Sequence, residues 1–275
     1  MPSSTEAKGP LVIIGGAEDK HDNCTILREF VRLAGGTDAH IAVLTAATAY
    51  PHEAGAEYDR VFTRLGAAAV DIVHTEAPDD ANKPQLLEIV ADATGVFFTG
   101  GDQSRVIRMV QDSLLEDLLH KRHREGAVIS GTSAGAAIMS EAMIADGDST
   151  SHPYLDAVEM SRGMGFLTQV LVDQHFAQRG RLGRLLSGLL LEPSVLGLGI
   201  DENTAVIVQG DELEVIGEGA VTVVDESATS HNNLSQLLKD EAMAVFGVKL
   251  HILPHGYRFN LKTRQPSTPD EALAQ

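Results

Sequence analysis

Gly131-Thr132-Ser133-Ala134-Gly135 sets one serine between two glycines, directly after a strand-like Val128–Ile129 and directly before a helix-like stretch, 134–141. A serine on a tight strand-to-helix turn lifts its hydroxyl above the sheet edge, and small neighbours let the backbone bend that sharply. The chemistry this permits is acyl transfer with Ser133 as nucleophile. The amide of Ala134 then points toward the oxyanion, and the helix start adds positive potential. Without chemistry, the same residues are a glycine-rich turn that packs strand on helix, or an anion-binding helix start.

A serine hydroxyl is a poor nucleophile until a base takes its proton. His175 lies in Asp173-Gln174-His175-Phe176, just beyond a strand-like Val170–Val172. That is the rim where open α/β sheets bind ligands. His74 and His40 also flank strands but lack polar neighbours of this kind. The base needs an acceptor on its far nitrogen. Asp201 and Glu202 stand side by side in Gly199-Ile200-Asp201-Glu202-Asn203-Thr204, and Asp173 is a third contender. The residues alone do not choose among them.

Three further patches carry polar chemistry. Phe98-Thr99-Gly100-Gly101-Asp102-Gln103 follows another strand, and its amides can supply the second half of an oxyanion hole. Its plainer reading is a βα turn with Asp102 as a helix cap. Gly15-Gly16-Ala17-Glu18-Asp19 lacks the G-x-G-x-x-G spacing and reads as a structural turn, not a dinucleotide site. Arg179, Arg181 and Arg184 place three of the 21 basic residues within six positions. Arg181 and Arg184 can share a helix face and grip carboxylates in bidentate fashion, or simply balance surface charge.

The elements that position these residues alternate. Strand-like runs at Leu11–Ile14, Ile41–Leu44, Ala69–Val73, Val96–Phe98 and Val128–Ile129 are separated by helix-like segments near 24–33, 53–65, 85–91 and 106–120. Asp22 or Asn23 can cap the first helix. Strands alternating with helices of this length imply crossover connections and a parallel, doubly wound sheet. In the second half, Val170–Val172, a hairpin about Gly210-Asp211, Val221–Val224 and Val245–Leu253 read as antiparallel strands extending that same sheet. The expected fold class is therefore α/β, an open, mostly parallel sheet with helices on both faces. Residues 1–265 are expected to form one domain, 145–165 a loop or lid, and 266–275 a frayed tail.

Composition removes several function classes. With 21 Lys+Arg against 39 Asp+Glu, the net charge of -18 repels nucleic acid and anionic membrane surfaces. The same acidity would attract an arginine-rich substrate. No apolar run approaches the ~20 residues of a membrane span. The opening residues lack the apolar core of a secretory signal. Cys24 is the sole cysteine, which rules out an intrachain disulfide and a thiolate zinc site and suggests a reducing compartment. The 11 histidines show no zinc-type spacing.

Taken in order, Ile13-Ile14-Gly15-Gly16-Ala17-Glu18-Asp19, Gly100-Gly101-Asp102-Gln103, Gly131-Thr132-Ser133-Ala134-Gly135-Ala136, Asp173-Gln174-His175-Phe176 with the three arginines, and Gly199–Thr204 resemble the cyanophycinases. These are peptidase E-like serine hydrolases with a fold similar to class I glutamine amidotransferases. The resemblance implies Ser133 as nucleophile, His175 as general base and Glu202, rather than Asp201, as the group that orients it. It implies oxyanion amides at Gly101 and Ala134, and a substrate pocket lined by Gln103, Asp173, Gln174, Arg179, Arg181 and Arg184. The implied substrate is cyanophycin, poly-aspartate carrying arginine on each β-carboxyl, cut by an exopeptidase into β-aspartyl-arginine dipeptides. A cytoplasmic homodimer without metal or cofactor is expected. The rivals are a peptidase E-like enzyme acting on α-aspartyl dipeptides and a non-catalytic binding module on the same fold. A glutamine amidotransferase would carry cysteine where Ser133 stands.

Overall fold

The computed structural model describes residues 8–147, 152–154, 156–192, 195–238 and 241–272. The first half alternates β1 (Leu11–Ile14), α1 (Thr25–Leu33), β2 (His40–Leu44), α2 (Pro51–Arg64), β3 (Ala69–Val73), α3 (Pro84–Asp92) and β4 (Gly95–Phe98). It continues with α4 (Gln103–Val110), α5 (Leu114–Arg124), β5 (Val128–Thr132) and the single turn α6 (Ala134–Ala137). The five strands lie parallel in the order β1-β5-β4-β2-β3. Successive strand residues face opposite sides. Val12 and Ile14 therefore pack with Ile26, Leu27 and Phe30 of α1 and Tyr58, Val61 and Phe62 of α2. Leu11 and Ile13 join Val90, Val106, Val110, Leu115 and Leu119 from α3 to α5. Each such side chain contributes about 1.5–3 kcal/mol by leaving water.

The second half holds β6 (Ala142–Gly147), β7 (Val158–Arg162), β8 (Val170–Gln174), α7 (Leu182–Leu191), β9 (Leu196–Ile200), β10 (Thr204–Gln209), β11 (Glu212–Gly217) and β12 (Ala220–Asp225). After these come β13 (His231–Asn232), β14 (Val245–Phe246), β15 (Lys249–Pro254), β16 (Arg258–Asn260), β17 (Gln265–Ser267) and α8 (Pro269–Ala272). The hairpin about Gly210-Asp211 forms as expected, and β10, β11, β16 and β17 extend the central sheet antiparallel from β1.

The other strands do not. β8, β9, β12 and β15 build a second, four-stranded sheet in the order β15-β12-β9-β8. Its Val170, Val172, Leu198 and Val223 join the core that holds α3 to α5, while Leu171 and Val224 face Leu185 and Leu189 of α7. Strands apolar on both faces need a layer on each side. A separate sheet between two layers gives them that.

Smaller departures have local causes. The expected helix over 106–120 breaks at Asp112, whose φ is 57°, and Ser113 restarts it by accepting the Glu116 amide at 3.2 Å. The helix after Ser133 stops at Ala137, and Ser140 bridges Leu167 instead. Neither Asp22 nor Asn23 caps α1. The Asp19 carboxylate accepts amides from His21, Asp22 and Cys24. Within the expected loop over 145–165, β6 and β7 pair as a hairpin, and residues 148–151 and 155 lie outside the described residues. Pro266 and Ser267, expected in a frayed tail, pair with β16 on the sheet edge, where a proline is tolerated. Residues 273–275 lie outside the described residues. Among the described residues, no helix is long and apolar enough to cross a membrane.

Candidate active site

Strand register gathers the site. Parallel pairing sets Ile14 beside Thr132 and Gln174 beside Ile200, so Gly15 adjoins Ser133 and His175 adjoins Asp201-Glu202. Antiparallel pairing of Ile14 with Ala205 brings Asn203 to the same corner. The turn after β1 ties the pieces together. Ile14 O accepts the Ser133 amide at 3.0 Å, Gly15 O the His175 amide at 2.8 Å, and Gly16 O the Asn203 amide at 2.9 Å.

Ser133 has φ 54° and ψ -108°, a conformation that strains an L-residue by about 1–3 kcal/mol. It is held there by its amide bond to Ile14 and by the Ala136 and Ala137 amides, which donate to its carbonyl. The flanking glycines make the bend possible. A β-carbon on Gly131 would lie 2.3 Å from Gly135 O. Ser133 Oγ stands 2.9 Å from His175 Nε2, and His175 Nδ1 stands 2.6 Å from Glu202 Oε1. An ionised carboxylate has only acceptors, so Nδ1 carries the hydrogen and Nε2 offers its lone pair to the serine. Burial pushes the His175 imidazole below its ordinary value of 6.5, opposed by the Glu202 hydrogen bond and reinforced by Arg179 and Arg181. A neutral imidazole is what proton abstraction requires.

The three acids that the residues left open separate clearly. Asp201 accepts the Ala177 and Ala220 amides, at 3.0 and 3.1 Å, and so anchors the turn after His175 to β12. Asp173 is 1% exposed and receives Arg184 on both oxygens, at 2.7 and 3.1 Å. Only Glu202 meets the imidazole.

The glycine loop after β4 flanks the serine. A β-carbon on Gly100 would come within 3.4 Å of Ser133 Cβ, which puts this loop against the nucleophile turn, while Gly101 packs on the Ala47 carbonyl. Asp102 caps α4 by accepting the Arg105 amide at 3.1 Å. Gln103 donates to Ile144 O and Ala145 O, at 3.2 and 2.6 Å, and so ties α4 to β6. Arg181 Nη1 donates to Gln174 O and Oε1, at 2.6 and 2.7 Å, and lies 3.4 Å from Asp173. Burial brings Arg181 down to about 10, opposed by Asp173, so it stays charged at neutral pH. Arg181 and Arg184 are buried against Asp173, whereas Arg179 is exposed. The alternative of simple surface charge balance therefore fails for the first two. Gly16 and Glu18, which touch His175 and the elbow strand, read from sequence as mere turn residues. The available signal was an acid next to a glycine turn, ahead of any helix it could cap.

Residues 11–216 match the model of peptidase family S51. A cyanophycinase of Geminocystis herdmanii is 41% identical over 261 residues, 94% of this chain and 96% of that protein. One of Trichormus variabilis is 38% identical over 266 residues, 96% of this chain and 89% of its own length. In fold, the chain is similar to a peptidase from an acI-B1 Actinobacterium, with TM-score 0.67 and 19% identity over 93% of this chain and 98% of that one. A family match that spans all five parallel strands of the central sheet, joined to relatives covered nearly end to end, makes this a serine-type peptidase belonging to peptidase family S51.

Proposed function

We propose that the chain hydrolyses cyanophycin to β-aspartyl-arginine dipeptides as a serine exopeptidase, through an acyl-enzyme. The observation that carries this is the continuous hydrogen-bonded chain Ser133–His175–Glu202, at 2.9 and 2.6 Å, in a protein some 40% identical to cyanophycinases. Ser133 Oγ attacks the carbonyl of the poly-aspartate backbone amide, and its proton passes to His175 Nε2. Glu202 holds the ring and stabilises the imidazolium that forms. The amides of Ala134 and Gly101 receive the oxyanion. Collapse breaks the C–N bond, and His175 returns the proton to the leaving amine. Water then repeats the sequence on the ester and frees the acyl group.

Substrate roles follow from charge and exposure. Arg179, exposed and next to His175 in its electrostatic influence, is suited to a free α-carboxylate on a substrate arginine. Asp173, Gln174, Arg181 and Arg184 form a buried hydrogen-bonded cluster next to it, and Gln103 and Arg184 both tie to β6. The net charge of -18 suits a substrate rich in guanidinium groups. We place the enzyme in a reducing cytoplasm, where the buried Cys24 stays a thiol, and as a homodimer on the family resemblance.

Incubation with purified cyanophycin beside an α-linked aspartyl dipeptide tests the substrate. Soluble β-aspartyl-arginine from the polymer and no cleavage of the dipeptide is the expected result. Cleavage of the α-linked dipeptide alone would transfer the chain to the rival activity.

A further inference from the structure

Glu18 is buried directly behind the nucleophile turn. Its Oε2 accepts the Thr132 hydroxyl at 2.5 Å and its Oε1 accepts the Tyr58 hydroxyl at 2.5 Å. Thr132 is the last residue of β5, immediately before the strained Ser133. Burial and the Glu18 charge push the Tyr58 hydroxyl well above its ordinary value of 10, so it stays protonated and donates. Lys20 Nζ sits 3.7 Å from Glu18 and 4.9 Å from the centre of the Tyr58 ring. A carboxylate withdrawn from water is costly, and an apolar side chain would fill the same space more cheaply. The arrangement makes sense if the carboxylate does something an apolar group cannot.

We infer that Glu18 is a positioning residue for the reaction: it pins the Thr132 side chain and thereby holds Ser133 in its strained, reactive conformation. Glu18 belongs to the same turn whose carbonyls at Ile14, Gly15 and Gly16 receive the amides of Ser133, His175 and Asn203. One short turn thus references all three arms of the site to β1. The main-chain bonds fix where the three turns lie. The Glu18 bond to Thr132 opposes relaxation of the elbow itself, which has φ 54° to lose. Tyr58, from α2, fixes the other oxygen, so the carboxylate cannot swing away from Thr132. This inference rests on Ser133 being the nucleophile.

The test compares wild type, Glu18→Ala, Glu18→Gln, Thr132→Val and Ser133→Ala. Two readouts are needed: the labelling rate with a fluorophosphonate, and kcat and KM on a soluble trimer of β-aspartyl-arginine units. Glu18→Ala and Thr132→Val are expected to slow labelling and kcat by about 10²-fold, the scale of a small misplacement of a reacting group, with KM little changed. Glu18→Gln is expected to restore most of the rate, because an amide can accept from one hydroxyl and donate to the other. Folded Thr132→Val that labels and turns over at the wild-type rate would overturn the proposal, whatever becomes of the alanine variant. Ser133→Ala separates the two layers of the account. If it labels as fast as wild type, the nucleophile assignment fails, not the role of Glu18 alone.

Discussion

Gly16 lies against the imidazole of His175: a β-carbon there would stand 2.3 Å from Cε1 and 2.5 Å from Nε2, the nitrogen that faces Ser133. Its φ of 101° also strains any L side chain. Gly16→Ala must therefore push the ring off its line to the serine. Initial rates of dipeptide release are expected to fall by about 10²-fold or more. An unchanged rate in a folded variant would show that the ring has room to spare.

Glu202 and Asp201 are neighbours with different work. Glu202→Gln removes the charge that steadies the imidazolium, and kcat is expected to drop by about 10³–10⁴-fold. Asp201→Asn leaves the ring untouched but retains only one acceptor for two amides. It is expected to lose about 1–3 kcal/mol in urea unfolding while kcat holds. The reverse pattern would exchange their assignments.

Activity should fall on the acid side as His175 protonates. Because burial lowers its pKa from 6.5, the acidic limb of kcat/KM belongs below that value. Arg179 lowers the pKa and Glu202 raises it. Arg179→Gln is therefore expected to move the limb to higher pH and Glu202→Gln to lower pH. Shifts in the same direction for both would contradict this electrostatic assignment.

Asp173 is a single carboxylate shared by two buried guanidiniums. Asp173→Ala leaves Arg181 and Arg184 without their shared carboxylate and is expected to destabilise the fold by about 3–5 kcal/mol. Thermal melting of the variant checks this. A melting temperature equal to wild type would mean that the pair is solvated after all.

The site was more legible than the scaffold around it. Ser133 and His175 each sit just beyond a strand, in short motifs whose residue types suggest the chemistry, whereas Glu202 was separable from Asp201 only through the family resemblance. Their convergence depends on register, Ile14 with Thr132 and Gln174 with Ile200, which local pattern does not encode. For the same reason the strands at Val170–Val172 and Val221–Val224 were recognisable as strands but not as members of a second sheet. The spacing of Arg181 and Arg184 suggested carboxylate binding, and the carboxylate they hold is the protein's own Asp173. One missed break was readable. Ser113-Leu114-Leu115-Glu116 carries the serine and glutamate spacing of a helix start.

The most direct test is to measure β-aspartyl-arginine released from purified cyanophycin by wild type and by Ser133→Ala. Wild type should yield the soluble dipeptide, and the variant, folded and melting as wild type does, should be slower by about 10⁴–10⁶-fold. Dipeptide release by Ser133→Ala within tenfold of wild type would mean that the hydroxyl held 2.9 Å from His175 is not the attacking group.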